Sequence, residues 1–154
     1  MKLDSIGAGS NYDYRFCEDP VSKNLVFIDA NYCFGIYRIK GESNQYEFSW
    51  TGSLKEIEGL QGNINSFRPI IDKNGIFIIS LESCLVFFRF NHIDKRLELI
   101  NKLFYDVRMD EDEYTRILQI KHSNLIAIMF GWRTLIISPT DDIGGYTIVK
   151  KLRG

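Results

Sequence analysis

The chain has 154 residues, 45% of them hydrophobic, and its 19 basic and 20 acidic residues leave a formal net charge of −1. This balance excludes a generally basic surface, so binding to nucleic acid or to an anionic membrane would need a local patch. The apolar runs are too short to cross a bilayer, and three cysteines without a Cys-x-x-Cys motif suit reduced thiols; we therefore expect a cytoplasmic protein.

Short apolar runs bounded by Asn, Asp, Gly, Ser or Lys recur along the chain, as is typical of strands joined by turns. In chain order these runs predict strands at 25–28, 34–39, 46–50, 76–79, 85–90, 97–100, 117–120, 125–130, 135–137 and 146–149. Several runs are apolar at every position, so we expect strands that are covered on both faces. The sequence predicts an all-β protein.

The pattern repeats itself with a period of about 50 residues. This offset superposes Asn24, Asn74 and Asn124, each followed by an apolar strand, and it predicts equivalent buried sites for the isoleucines four residues later, Ile28, Ile78 and Ile128. The next two strands of each copy align after a slip of one residue. Each copy also opens with an arginine beside an apolar residue, and these arginines are Arg15, Arg68 and Arg116.

Each copy thus contains four strands, and we place the copies at about residues 14–60, 67–110 and 115–152 of a single domain, 1–154. Four antiparallel strands per 40 to 50 residues are typical of a β-propeller blade, which packs its apolar faces on neighbouring blades. Propellers usually close with four to eight blades. Three blades therefore predict an open, incomplete propeller, and a β-sandwich or barrel is the alternative.

No set of residues in the sequence indicates catalysis, a cofactor or a metal. His92 and His122 are the only histidines, and neither has a second ligand at metal-site spacing. The Gly7–Gly9 segment has no lysine or following helix to bind phosphate, and the Gly-x-Ser-x-Gly motif is absent. We expect a protein that is not an enzyme, with Cys33 and Cys84 as buried thiols.

The most uneven charge lies between the second and third copies, where five carboxylates fall within eight residues, 106–113. Such a run is either a solvated loop or an acidic surface that docks a basic partner. For the second case the candidate partner-binding residues are Asp106, Asp110, Glu111, Asp112 and Glu113, with three aromatic anchors if these are exposed, Tyr105, Tyr114 and Trp132.

A small chain that begins at its own Met1, with a β-rich repeat body and acidic loops, resembles the immunity proteins of contact-dependent growth inhibition and related polymorphic toxin systems. Some members of that group have partial-propeller architectures. The resemblance implies a stoichiometric complex with a cognate, basic toxin domain such as a nuclease, and no direct contact with nucleic acid or membrane.

Two other functions stay open at this point. A scaffold subunit could join two three-blade arcs into a closed six-blade ring, and it would then be a stable homodimer. A small-molecule enzyme or sugar-binding barrel would need converging polar groups, which one sequence does not identify.

Overall fold

The structure is a computed structural model that describes residues 15–28, 33–40, 45–57, 70–81, 83–105 and 115–153. The first sheet consists of β1 (Arg15–Glu18), β2 (Leu25–Ile28), β3 (Cys33–Lys40) and β4 (Gln45–Ser53), followed by a 3-10 turn at Leu54–Glu56. The middle sheet consists of β5 (Ile70–Ile71), β6 (Phe77–Ser80), β7 (Cys84–Asn91) and β8 (Arg96–Phe104). The third sheet consists of β9 (Thr115–Gln119), β10 (Ile126–Phe130), β11 (Arg133–Pro139) and β12 (Tyr146–Arg153).

Every sheet is an antiparallel meander whose four strands lie side by side in chain order. The three sheets do not close on one another within the described residues, and the prediction of an all-β, open propeller-like fold is confirmed. None of the helical structure in these ranges has the length and apolar character needed to cross a bilayer.

Two hydrophobic clusters place the middle sheet between the other two. One cluster joins the first and middle sheets and includes Phe34, Ile36, Phe77 and Phe88. The other joins the middle and third sheets through residues such as Ile78, Phe87, Ile128 and Ile137. We call the side of the first or middle sheet that is turned toward the next sheet in the chain its forward face, and the opposite side its backward face. In the third sheet, the backward face packs on the middle sheet and the forward face is the opposite side.

Strand β7 shows why this sequence has no polar alternation. Residues Cys84–Phe88 are all buried, but consecutive side chains of a strand point to opposite faces. Val86 and Phe88 therefore join the cluster with the first sheet, whereas Leu85 and Phe87 join the cluster with the third. The expectation of strands covered on both faces is confirmed in the middle sheet.

A β-bulge recurs at one position between the third and fourth strands of every sheet, and the extra residue is on the fourth strand: Ser49, Ile100 and Val149. The register shifts after Ile36 in β3, after Phe87 in β7 and after Ile136 in β11. The proposed alignment of the last two strands of each copy is therefore confirmed. Two cross-strand ion pairs occupy equivalent positions in the first and middle sheets: Arg38 with Glu47, and Arg89 with Glu98.

The alignment of the second strands is wrong, and the turns before them explain why. The hairpins close from Asp19 N to Asn24 O and from Asp72 N to Ile76 O, so the middle turn is one residue shorter. The third hairpin closes from Ile120 N to Leu125 O. The counterparts of Asn24 are consequently Ile76 and Leu125, and not Asn74 and Asn124.

The expected equivalence of Ile28, Ile78 and Ile128 is corrected by the same register. Ile78 and Ile128 are both fully buried in the second cluster, as predicted. The backbone pairing, however, places Ile28 level with Ser80 and Met129, because Phe34, Leu85 and Thr134 are their respective partners on the next strand. The side chain of Ile28 lies outside the described residues.

Polar contacts also fasten the third sheet to the middle one. The Tyr146 hydroxyl donates to Asp72 Oδ2 over 2.9 Å, and Asn101 Nδ2 donates to the Gly144 carbonyl over 3.3 Å. Gly144 has a φ of +68°, and a Cβ there would lie 2.7 Å from Ile100 Cγ2. Only glycine fits this close approach without strain.

Candidate functional site

In the sequence, the acidic run falls between the last strand of the middle sheet and the first strand of the third sheet. Asp106, Asp110, Glu111, Asp112, Glu113 and Tyr114 lie outside the described residues, and the structure describes their flanks, the end of β8 at Phe104 and the start of β9 at Thr115.

Trp132 is exposed in the tight turn between β10 and β11, with 54% of its surface accessible. The turn begins with Gly131 in a left-handed conformation, φ 53°, which favours glycine. The guanidinium carbon of Arg133 lies 4.4 Å from the centre of the Trp132 ring, which is the geometry of a cation-π contact. The arginine thus holds the indole while its surface stays accessible.

The topology brings Trp132 to the same end of the stack as the flanks of the acidic run. Phe130 pairs with Thr115 on one side and with Arg133 on the other, so β9 begins where β10 ends. The Tyr105 ring stacks on Phe130 with 5.6 Å between ring centres, which places the end of β8 there too. We call this region, with Phe104, Thr115, Trp132 and Arg133, the Trp132 end.

Tyr105 was expected to be an anchor only if its side chain was exposed, and the structure shows that it is buried. It is 5% exposed, and its hydroxyl contacts Ser80 Oγ at 2.8 Å and the carbonyls of Leu81 and Cys84. Burial raises the pKa of this phenol. Tyr105 therefore belongs to the core, and the neighbouring Phe104, 65% exposed, is the aromatic side chain that faces solvent.

Basic residues from three strands of the third sheet lie toward the Trp132 end. They are far apart in the sequence, except for those of the last strand, so no single basic run predicts this group. They are Arg116, Arg133, Lys150, Lys151 and Arg153. The carboxylates of the third repeat that the structure describes, Asp141 and Asp142, lie in the turn at the opposite end. This end therefore carries a group of cations, and both described flanks of the acidic run, the end of β8 and the start of β9, lie there too.

An open groove of about 710 Å³ lies between the 3-10 turn of the first sheet and the hairpin of β7 and β8. Glu98 is one of the charged residues that line it and accepts hydrogen bonds from Asn91 Nδ2 at 2.9 Å and Arg89 Nε at 3.2 Å. The bond from Asn91, followed by that from Arg89, lowers the pKa of this carboxyl. The Arg89–Glu98 pair repeats Arg38–Glu47 at the same register, so it is part of the pairing between the third and fourth strands.

The other candidate residues have simple settings. His92 and His122 are exposed in turns, as expected, and the His92 ring meets the edge of Phe90 at 4.9 Å between centres. Arg116 is exposed on β9, whereas Arg68 and the Arg15 side chain lie outside the described residues. Among the described residues, no three His, Cys, Asp or Glu side chains come together as ligands for a metal would.

Cys84 is buried at the start of β7, and burial raises the pKa of its thiol in spite of the nearby Lys102. The thiolate is the reactive form, so little of it is present at neutral pH. In a Cys17→Ser, Cys33→Ser background, we expect Cys84 to react with iodoacetamide much more slowly in the folded protein than in urea. Mass spectrometry would follow the modification, and equal rates would contradict the burial of this thiol.

Comparisons with known proteins bear on the fold alone. No family model matches this chain, and no curated protein matches it. A structural-genomics crystal structure of a protein from Lactobacillus plantarum is similar, with a TM-score of 0.61 at 12% identity. The match covers 92% of this chain and 42% of that one, so this chain spans less than half of the protein it resembles. The three-sheet stack is thus an architecture that a solved structure also contains, there as part of a longer chain.

Proposed function

We propose that this protein is an immunity protein, a stoichiometric inhibitor that binds a cognate toxin domain in the cytoplasm. The observation that carries the proposal is the Trp132 end, where an exposed, arginine-braced indole lies beside both flanks of the acidic run. Exposed tryptophan and arginine are the residue types that most often anchor protein interfaces. The strong local charge suits recognition of an oppositely charged partner.

The proposed mechanism needs no reaction by this chain. The carboxylates of residues 106–113 attract the basic groove of a nuclease-type toxin and speed the encounter. Trp132 and Phe104 then exclude water from the contact, which supplies the affinity that charges at a rim rarely supply. The cations of the third sheet restrict the partner to one orientation, because a basic surface placed over them would be repelled.

The proposal requires a cognate toxin domain, and the test uses that domain in purified form. Trp132→Ala should weaken binding by about 2 kcal/mol, roughly thirtyfold in Kd. The matched control is Ile143→Ala, because Ile143 is similarly exposed in the turn at the opposite end of the third sheet. This control should bind like the unmodified protein.

Neutralising the acidic run tests the other half of the proposal. The variant Asp110→Asn, Glu111→Gln, Asp112→Asn, Glu113→Gln should associate more slowly and with a weaker dependence on salt, since steering acts on the association rate. Stopped-flow kinetics at low and high salt would measure this. Unchanged rates would remove the acidic run from the interface, and failure of the unmodified protein to bind the toxin domain would overturn the proposed function.

A further inference from the structure

The groove beside the β7–β8 hairpin follows the outer edge of a strand. Its lining includes six consecutive residues at the start of β8, Lys95–Ile100, and the first sheet contributes Ser53, Glu56 and Ile57. Consecutive side chains of a strand point to opposite faces of the sheet. A groove that contacts all six therefore touches both faces of β8 and runs along the edge between them. We call it the β8 groove.

This edge of β8 carries backbone groups without a strand partner. β8 is the last strand of the middle sheet, so no described strand of that sheet lies on its outer side. In an edge strand, the N–H and C=O groups of alternate residues point away from the sheet. The edge is regular over Arg96–Leu99, since the bulge at Ile100 interrupts the register. These four residues thus present a short row of backbone donors and acceptors in the groove.

The side chains of β8 make the two sides of this edge different. Arg96 and Glu98 lie on the forward side with Arg89, whereas Leu97 and Leu99 lie on the backward side, partly buried against the cluster with the first sheet. A strand paired with β8 would set its own alternate side chains in these two environments. It would fit best with apolar side chains beside the two leucines and polar ones beside Arg96.

The charges of the β8 groove favour an acidic occupant. Its charged lining residues are three cations and two carboxylates: Arg89, Lys95, Arg96, Glu56 and Glu98. Glu98 is already held by Arg89 and Asn91. Arg96 is 66% exposed and makes only long contacts, 3.7 Å to Asp94 and 3.4 Å to Glu98, and Lys95 forms no ion pair with the described residues. The end of the groove at the hairpin therefore has cations to offer.

We propose that the β8 groove binds an extended, acidic segment of a partner protein, which adds to the middle sheet as a strand beside β8. In this mode the main-chain hydrogen bonds give affinity and the alternate side chains give specificity. A second copy of the chain fits less well, because it would bring the same excess of cations. The groove begins at the opposite end of β8 from Phe104, so this binding goes beyond the proposed toxin contact and does not depend on it.

Two synthetic heptapeptides serve as probes, one for each strand direction. In each, valine alternates with threonine over five residues, and two aspartates form either the amino or the carboxyl end. Titration of the ¹⁵N-labelled full chain should shift the amide signals of Arg96–Leu99 and slow the hydrogen exchange of alternate amides there. No shift at these residues with either peptide at near-millimolar concentration would overturn the proposal. Shifts that depend on protein concentration alone would assign the edge to a second copy instead.

Methylation of the peptide backbone tests the added strand. Alternate residues of a strand direct their N–H groups to the same edge, so N-methylation at every second residue removes the donors of one edge only. Methylation of the edge that meets β8 should abolish binding, and methylation of the other edge should preserve it. Binding that survives both modifications would show contact through side chains alone and would overturn the added strand.

A pair of neutral variants tests the preference for an acidic segment. Lys95→Gln with Arg96→Gln should weaken binding of the aspartate peptide by about fivefold, whereas a peptide with asparagines in place of the aspartates should bind both proteins alike. The matched control is Lys73→Gln with Lys121→Gln, which removes the same charge from exposed turns and should leave binding unchanged. Equal weakening in the control would reduce the preference to the overall charge and overturn it.

Discussion

Replacing Ile78 with alanine should lower the free energy of unfolding by about 2–5 kcal/mol. Ile78 is fully buried on the forward face of the middle sheet, opposite Phe87, in the cluster that holds the third sheet. The change removes three carbons from a close-packed site, so the loss combines the transfer free energy of those carbons with the cost of a cavity. This loss in the free energy of unfolding can be measured by urea unfolding at low protein concentration, with circular dichroism as the signal.

Leu118→Ala is the matched control for this prediction. It also removes three carbons from a branched side chain on the forward face of a sheet, but the side chain is 52% exposed because no further described sheet packs there. Surface changes of this kind usually alter stability by no more than about 0.5 kcal/mol. Similar losses for the two variants would mean that the third sheet does not pack on Ile78.

The third and fourth strands of each repeat could be predicted because their alignment depends on side chains that the fold constrains. Arg38 and Arg89 are each the second residue after the register shift, and each pairs with a glutamate on the next strand. The bulge recurs at the same register, so the spacing between third and fourth strands is conserved among the three copies within the chain.

The register of the second strands could not be predicted from the same offset. The turn that precedes β6 is one residue shorter than the turns before β2 and β10, and a turn residue such as Asn74 can shift without changing the apolar pattern that follows. In the middle sheet, the run after Asn74 is apolar on both faces, so hydrophobicity does not fix which residue faces which neighbour. The backbone hydrogen bonds that close each hairpin determine the register of the second strand.

The candidate site was predicted in part. Trp132 follows a glycine between two apolar runs, a pattern that indicates a turn, and its exposure agrees with that interpretation. Tyr105 follows an exposed Phe104, and sequence gives no reason to bury one and expose the other. The reason is tertiary: the Tyr105 hydroxyl satisfies the carbonyls of Leu81 and Cys84 in the turn before β7.

The gathering of basic residues was missed because its members come from three strands. Arg116, Arg133 and Arg153 are separated by many residues in sequence, but Arg133 and Arg153 are direct partners across β11 and β12. Strand pairing therefore creates a local basic patch, which the balanced overall composition does not reveal. This patch also protects β12, an outer strand, from pairing with another chain, since charged side chains discourage such contacts.

Asp72→Ala should destabilise the protein by about 3 kcal/mol, because it leaves several buried donors without an acceptor. Asp72 is 6% exposed and accepts hydrogen bonds from Asn74 N, Ile76 N and the Tyr146 hydroxyl. The first two bonds form the turn before β6, and the third joins the middle sheet to the third. One carboxylate thus supports a hairpin and a contact between sheets.

Asp19→Ala is the control, since Asp19 occupies the same turn position in the first sheet and is 7% exposed. Its carboxylate accepts from Val21 N and Ser22 Oγ within its own hairpin. We expect a smaller loss, about 1–2 kcal/mol, because these donors are closer to solvent. Equal losses would indicate that only the turn, and not the contact between sheets, depends on Asp72.

A double-mutant cycle isolates the contact between sheets. Tyr146→Phe and Asp72→Asn should each cost stability, and the double variant should cost less than their sum by about 1 kcal/mol, the coupling expected for groups in direct contact.

Burial, the charge of Asp72 and the hydrogen bond between Asp72 and Tyr146 together raise the pKa of Tyr146. An unfolded tyrosine ionises near about pH 10, so the contribution of Tyr146 is complete below that pH and is lost as pH rises above it. Unfolding measured across that range should therefore show a shallower alkaline loss in Tyr146→Phe than in the unmodified protein. A cycle with no coupling and an unchanged alkaline slope would mean that the third sheet is held by its apolar cluster alone.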